Sequence, residues 1–180
     1  MEVIDNALGV ELQNTIKNIV EANNFPWFFI ENSAYPDDEK LIVDSLLDYS
    51  FFHLAMDDGR VESNCFDTSN AIALRLKDKF LIGEDWVVYR LRWGMTTSIN
   101  KAHKNYPHID NDDNHKVILF YLNDTDGDTY FYDKDNNIID SVSPKENRAV
   151  LFDGSILHSS SKPTKSARRI VLNINLIKVR

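Results

Sequence analysis

The sequence predicts an α+β protein: helices in the first half, a β-sandwich or jelly roll in the second. Two observations carry this reading. Up to about residue 85, apolar residues recur at helical spacing. Beyond that point the period changes, and short β-rich runs separated by turn residues replace it, with no helical repeat. The chain of 180 residues is long enough for one domain with a sizeable core. No repeat, low-complexity segment or linker divides it, so 1–180 is read as one domain. Residues 1–85 are mainly helical support, and 86–180 form a β core carrying the site.

The elements follow in order. Leu8, Leu12, Ile16, Ile19 and Val20 fall on one helical face, which predicts a helix over 8–22, ended by Asn23 and Asn24. Pro26 opens an aromatic extended piece, Trp27-Phe28-Phe29-Ile30, read as a buried strand. Asp37 and Asp38 suit the first turn of a second helix carrying Leu41, Ile42, Leu46 and Leu47. Residues 50–66 look irregular, with a turn at Asp57-Asp58-Gly59. Thr68 or Ser69 caps a third helix from Asn70 to Leu81, stopped by Gly83. The β runs then cover 86–93, 107–110, 117–122, 129–132, 137–142, 149–152, 156–159 and 169–177.

Composition narrows the class. With 43% hydrophobic and 27% charged residues, the chain has the balance of a soluble globular protein. Its net charge of −8 argues against a general nucleic-acid binder, while leaving room for a local basic groove. One cysteine, Cys65, makes no internal disulfide and reads as structural. The start lacks a signal-peptide layout, and no apolar run approaches the roughly 18 residues that span a bilayer. A cytoplasmic protein without a membrane partner is expected.

The chemistry concentrates around Tyr106-Pro107-His108-Ile109-Asp110-Asn111. On extended backbone, His108 and Asp110 point to the same side because strand side chains alternate with period two. Together with His158, they can hold one face of an iron(II) and leave coordination positions open. Near the C-terminus, alternation puts Arg169, Val171, Asn173 and Asn175 on one face of a strand, and Arg168, Ile170, Leu172 and Ile174 on the other. The first face is unusually polar for a buried strand and suits a pocket. A planar guanidinium matches a carboxylate in bidentate fashion, so Arg169 is preferred to Arg168 as a carboxylate ligand.

In this order and spacing, His108-Ile109-Asp110-Asn111, Phe120-Tyr121-Leu122-Asn123, Asp126-Gly127-Asp128-Thr129, Phe152-Asp153-Gly154-Ser155 before His158, and Arg169 with its apolar strand resemble the 2-oxoglutarate- and iron(II)-dependent dioxygenases, prolyl-hydroxylase-like branch. The resemblance covers about residues 86–177. It implies a double-stranded β-helix with the N-terminal helices packed on one sheet. It implies His108, Asp110 and His158 as iron ligands, Arg169 and Tyr121 on the distal carboxylate of 2-oxoglutarate, and Asn173 as a polar pocket residue. It also implies dioxygen as oxidant, with ascorbate as a possible addition. The activity implied is hydroxylation of an unactivated carbon, with 2-oxoglutarate converted to succinate and carbon dioxide. The first substrate choice is a protein or peptide side chain such as proline. The alternatives are the same chemistry on a free amino acid, small metabolite or nucleobase, and a non-catalytic jelly-roll binding protein. The chain departs from the family in two respects: the interval after His158 admits either Arg168 or Arg169, and the stretch 94–106 looks long enough to be a substrate lid.

Other features read as structural. The aspartates from Asp124 to Asp135 suggest a calcium loop, but Thr129 stands where an EF-hand loop needs glycine, so a hairpin turn with solvated acids is expected. His103 and His115 are weaker ligand candidates. His53 is expected to be a satisfied histidine, Arg90 and Arg92 to share a face with Val88 and pair with surface acids, and Lys162, Lys165 and Arg168 to lie in a solvated loop.

Overall fold

The computed structural model describes residues 1–32, 47–81 and 84–178. Its strands are β1 (Glu2–Ile4), β2 (Phe28–Ile30), β3 (Ser50–Asp57), β4 (Arg60–Val61), β5 (Trp86–Thr97), β6 (His103–Lys104), β7 (His115–Tyr121), β8 (Thr129–Tyr132), β9 (Ile138–Val142), β10 (Arg148–Asp153), β11 (Leu157–Lys162) and β12 (Arg168–Lys178). Its helices are α1 (Val10–Val20) and α2 (Phe66–Phe80). No helix among the described residues is long and apolar enough to cross a membrane.

The strands form two antiparallel sheets. The major sheet runs β1-β10-β7-β12-β5-β3-β2, with β4 paired to β3. The minor sheet runs β6-β11-β8-β9. Strand alternation splits the apolar residues into two cores. Leu91, Trp93, Ile118, Phe120, Leu172 and Ile174 face the helices and pack with Ile16, Val20, Ile72 and Leu76. Val117, Leu119, Tyr121, Val150 and Val171 face the minor sheet and pack with Phe131 and Val142. The result is three layers: helices, major sheet and minor sheet. The polar face of β12 is therefore enclosed between the sheets.

Several elements differ from the sequence reading. Among the described residues, the first 85 supply four strands as well as helices. Residues 50–57 are strand β3, not irregular chain. The expected turn closes the β3–β4 hairpin, with Asp58 at φ 46° and Gly59 at φ 73°, the two positive φ values that a tight hairpin turn requires. The Phe28–Ile30 strand forms but is not buried. It lies at the sheet edge, where Phe28 and Phe29 remain 54% and 58% exposed. Helix α2 starts at Phe66 rather than Asn70, because Ser69 is already inside its first turn, its hydroxyl donating to the Cys65 carbonyl at 2.8 Å. The helix expected from Asp37 and the stop expected at Gly83 fall on 33–46 and 82–83, outside the described residues. A bulge sets Asn175 opposite Arg90 and Leu176 opposite Val88. Tyr89 is thereby skipped, and Val88 turns to the helix-side core while Arg90 faces the other way.

Candidate metal and cosubstrate site

His108 and His158 meet through their backbones. Pro107 lacks an N–H and cannot extend a ladder, so 107–110 forms one isolated bridge instead of the expected strand. His108 N–H donates to the His158 carbonyl and His158 N–H to the His108 carbonyl, each at 3.0 Å. The imidazole centroids then lie 4.8 Å apart. In each ring, Nδ1 is 3.1 Å from the carbonyl two residues earlier, that of Tyr106 or Ile156. A carbonyl only accepts, so Nδ1 carries the proton and the Nε2 lone pair is left for another partner.

Asp110 completes the group. Its Oδ1 is 3.7 Å from His108 Nε2 and 4.0 Å from His158 Nε2. Its Oδ2 accepts from Asn173 Nδ2 at 2.9 Å and Asn175 Nδ2 at 2.7 Å. One oxygen is thus tethered and the other faces the histidines. The donor atoms of His108, Asp110 and His158 all lie within 4.8 Å of one another. Burial alone would raise the Asp110 carboxyl, but His158, His108 and the two amides outweigh it and hold the group well below the usual carboxylate range. Burial pushes His158 down to about 4. The site at neutral pH is therefore a carboxylate with a neutral imidazole beside it, which is the donor state a divalent metal needs. Two His and one carboxylate on one face also suit iron(II) chemically.

On the same wall lies a buried cation. Arg169 is 4% exposed and extends from β12 next to Thr96 of β5. Its Nη2 donates to Thr129 Oγ1 at 2.8 Å, and the Tyr121 hydroxyl lies 2.8 Å from that same oxygen. Among the described residues, Arg169 Nε and Thr96 Oγ1 have no hydrogen-bond partner and no carboxylate forms an ion pair with Arg169. A buried guanidinium in this state is costly unless a ligand carboxylate completes it. Gly127 permits the approach of the neighbouring turn: a Cβ there would sit 2.8 Å from the Ser161 carbonyl and 3.1 Å from Arg169 Cδ. Arg168, by contrast, points outward and donates to Glu21 Oε1 at 3.0 Å. A cavity of about 100 Å³ joins the two parts, lined by His108, Asp110, His158, Arg169, Thr96 and Asn173 among others.

Thr129, Thr96 and Asn175 were not singled out as site residues from the sequence. For Asn175 the signal was the polarity of one β12 face; nothing local marks Thr96 or Thr129, which reach Arg169 from other strands. Other candidates lie elsewhere. His103 Nε2 pairs with Asp48, and 103–104 form strand β6 on β11, so 94–106 is tied into the major sheet by β5 and into the minor sheet by β6 rather than being a free lid. His115 packs under Gly154, where a Cβ would meet its ring at 2.2 Å. His53 is satisfied by the Pro26 carbonyl and Ser63 Oγ. Arg90 approaches Asp57 at 3.8 Å, as expected of a surface pair, but Arg92 lines the cavity. Lys162 is buried, not solvated: it is 1% exposed and donates to the Tyr49 carbonyl at 2.6 Å. Asp126 accepts from the Thr164, Lys165 and Ser166 backbone N–H groups, a loop-closing role.

Residues 94–177 match the family model described as the 2OG-Fe(II) oxygenase superfamily. No curated protein matches the sequence significantly. Among solved structures, the chain is similar to an oxidoreductase of the 2OG-Fe(II) oxygenase family from Burkholderia pseudomallei, with TM-score 0.65, 10% identity, and 96% of this chain and 83% of that chain covered. It is similar to a Trichoplax adhaerens prolyl hydroxylase in complex with a hypoxia-inducible-factor peptide fragment, with TM-score 0.63, 14% identity, and 98% and 83% covered. It is also similar to a viral collagen prolyl hydroxylase from Paramecium Bursaria Chlorella virus-1 in its 2OG complex, with TM-score 0.59, 16% identity, and 99% and 96% covered. Residues 94–177 thus carry the match to the 2OG-Fe(II) oxygenase superfamily, whose members use iron(II), 2-oxoglutarate and dioxygen, and the chain shares the double-stranded β-helix fold of prolyl hydroxylases.

Proposed function

We propose that His108, Asp110 and His158 hold iron(II), and that Arg169 takes the distal carboxylate of 2-oxoglutarate. On this reading the enzyme hydroxylates an unactivated carbon of a protein or peptide side chain, with proline the first choice. One observation carries the reading: a partly buried His-Asp-His donor set shares a cavity with a buried guanidinium that has no carboxylate partner among the described residues. The choice of a peptide leans on the fold shared with prolyl hydroxylases, one of them in complex with a peptide fragment.

When bound, iron(II) with 2-oxoglutarate and dioxygen supplies the oxidation that turns a C–H into a C–OH, leaving succinate and carbon dioxide. The protein's part is positioning. The Tyr106 and Ile156 carbonyls fix the tautomers of His108 and His158, and Asn173 and Asn175 aim Asp110 Oδ1. Thr129 locks the Arg169 fork in place and ties Tyr121 to it, while Thr96 adds a hydroxyl for the same carboxylate. Asn173 has an unpartnered Oδ1 at the cavity and can touch the cosubstrate as well. Leu119 and Val171 line the floor and exclude water. No separate side-chain acid or base is required.

The test is anaerobic addition of iron(II) and 2-oxoglutarate, expected to give visible charge-transfer absorption, followed by air and assay for succinate. Absence of both sinks the proposal. His108→Ala should abolish metal binding. Arg169→Ala should spare the metal and weaken 2-oxoglutarate; if Arg168→Ala does so instead, the cosubstrate assignment fails.

A further inference from the structure

β5 and β12 carry the site as a ladder of inward-facing rungs. Thr96 lies opposite Arg169, Gly94 opposite Val171, Arg92 opposite Asn173 and Arg90 opposite Asn175. The Arg169 end is accounted for by the cosubstrate. The other end holds a second guanidinium without a function. Arg169 and Asn173 are four residues apart, about 13 Å along a strand at roughly 3.3 Å per residue. Arg92 therefore stands two rungs along the row from Arg169, next to the residue that tethers Asp110.

Arg92 is built into the wall rather than solvated. Its guanidinium lies over the Phe52 ring, 5.0 Å from the centroid. It lines the metal-site cavity and also an adjoining recess of about 440 Å³, together with Phe52, Leu54, Tyr89, Arg90 and Asp110. Burial and the neighbouring Arg90 disfavour its charge, while Asp110 and Asp57 support it only from a distance. Arg90 approaches Asp57, but Arg92 has no carboxylate within ion-pair distance among the described residues. The recess is lined by two carboxylates, Asp57 and Asp110, as well as by two arginines; Arg90 approaches Asp57, and Asp110 turns to the histidines and to Asn173 and Asn175, so Arg92 is the cation left without a close anion among the described residues.

We propose that this recess is the substrate subsite and that Arg92, supported by Arg90, binds a carboxylate of the substrate on the side of the metal group opposite Arg169. The substrate is then an acidic peptide or a small carboxylic acid, with its reacting carbon held between two guanidinium-anchored anions. The inference rests on the oxygenase reading for the place of the reacting carbon, but the anion site itself does not.

The test is a titration of the full chain with matched acid and amide probes, under argon. In the peptide arm, acetyl-Pro-Glu-amide is compared with acetyl-Pro-Gln-amide; in the small-acid arm, N-acetylproline is compared with N-acetylprolinamide. Each is measured with and without manganese(II) and 2-oxoglutarate. We expect the acid to bind about tenfold more tightly than its amide in at least one arm, the size of one charged hydrogen-bonded contact. Arg92→Gln should erase that preference and leave 2-oxoglutarate and metal binding unchanged, while Arg92→Lys should keep part of it. Equal binding of acid and amide in both arms, no binding by either acid, or a preference that survives Arg92→Gln overturns the proposal. If metal and 2-oxoglutarate fail to bind yet the acid preference depends on Arg92, the oxygenase reading falls and the anion site stands.

Discussion

Asn175 shows how much of this site is orientation. It is fully buried, and among the described residues its side chain bonds Asp110 Oδ2 alone. Asn175→Ala should leave the three ligands in place but free Asp110 to rotate, weakening manganese(II) affinity by roughly 10–100-fold, as removal of such supporting partners does; calorimetric titration against wild type measures it. An unchanged affinity would assign the aiming to Asn173 alone. Lys162 tests a different kind of burial. Burial lowers it from an ordinary 10.5 to about 8. Between about 8 and 10.5, the unfolded chain holds a proton that the folded chain has released, so stability from this group rises with pH across that window. Against Lys162→Met, which has no such proton, wild type should gain relative stability in urea unfolding between pH 8 and 10; a parallel pair of pH profiles would rule this out. At this scale the sequence displayed the chemistry of His108, Asp110, His158 and Arg169, because residue type and order suffice for that. It did not display their partners, since the Tyr106 and Ile156 carbonyls and Thr129 arrive by folding.

Elements supply those partners through period and register. The alternation of β12 was readable, and it put Arg169, Asn173 and Asn175 on the inner face and Arg168 on the outer. Where a bulge interrupts alternation, as between Val88 and Arg90, a strict period-two count misplaces a residue. Helix α2 went wrong for a similar reason. Ser69 has the chemistry of a cap, but a tertiary partner claims it: the Trp93 indole donates to its hydroxyl at 2.9 Å. Ser69→Ala should strand that buried N–H and cost about 1–3 kcal/mol in urea unfolding. The loss should shrink in a Trp93→Phe background, because the two effects are coupled. The aromatic run at Phe28 and Phe29 has strand propensity, and the strand forms. Propensity carries no information about edge or centre, and among the described residues this strand pairs only with β3.

For the molecule as a whole, loading the site should show as stability. Ligands that bind only the folded chain stabilise it by about 2.7 kcal/mol at a hundred times Kd. Manganese(II) with 2-oxoglutarate should therefore raise the melting midpoint by several degrees. His108→Ala should lose the response to metal, and Arg169→Ala only the further response to 2-oxoglutarate. A rise that persists in His108→Ala would place the metal elsewhere.

By itself the sequence determined the class of fold and the candidate donor set, because hydrophobic period and the order of His, Asp, His and Arg are local or one-dimensional properties. The tertiary structure decided which groups face one another. It joined His108 to His158 through a single bridge, closed Asp110 between two amides, and left Arg169 and Arg92 two rungs apart on one ladder, neither in an ion pair among the described residues. Those relations depend on strand register between distant segments, and register is set by burial of the two sheet faces across the whole fold.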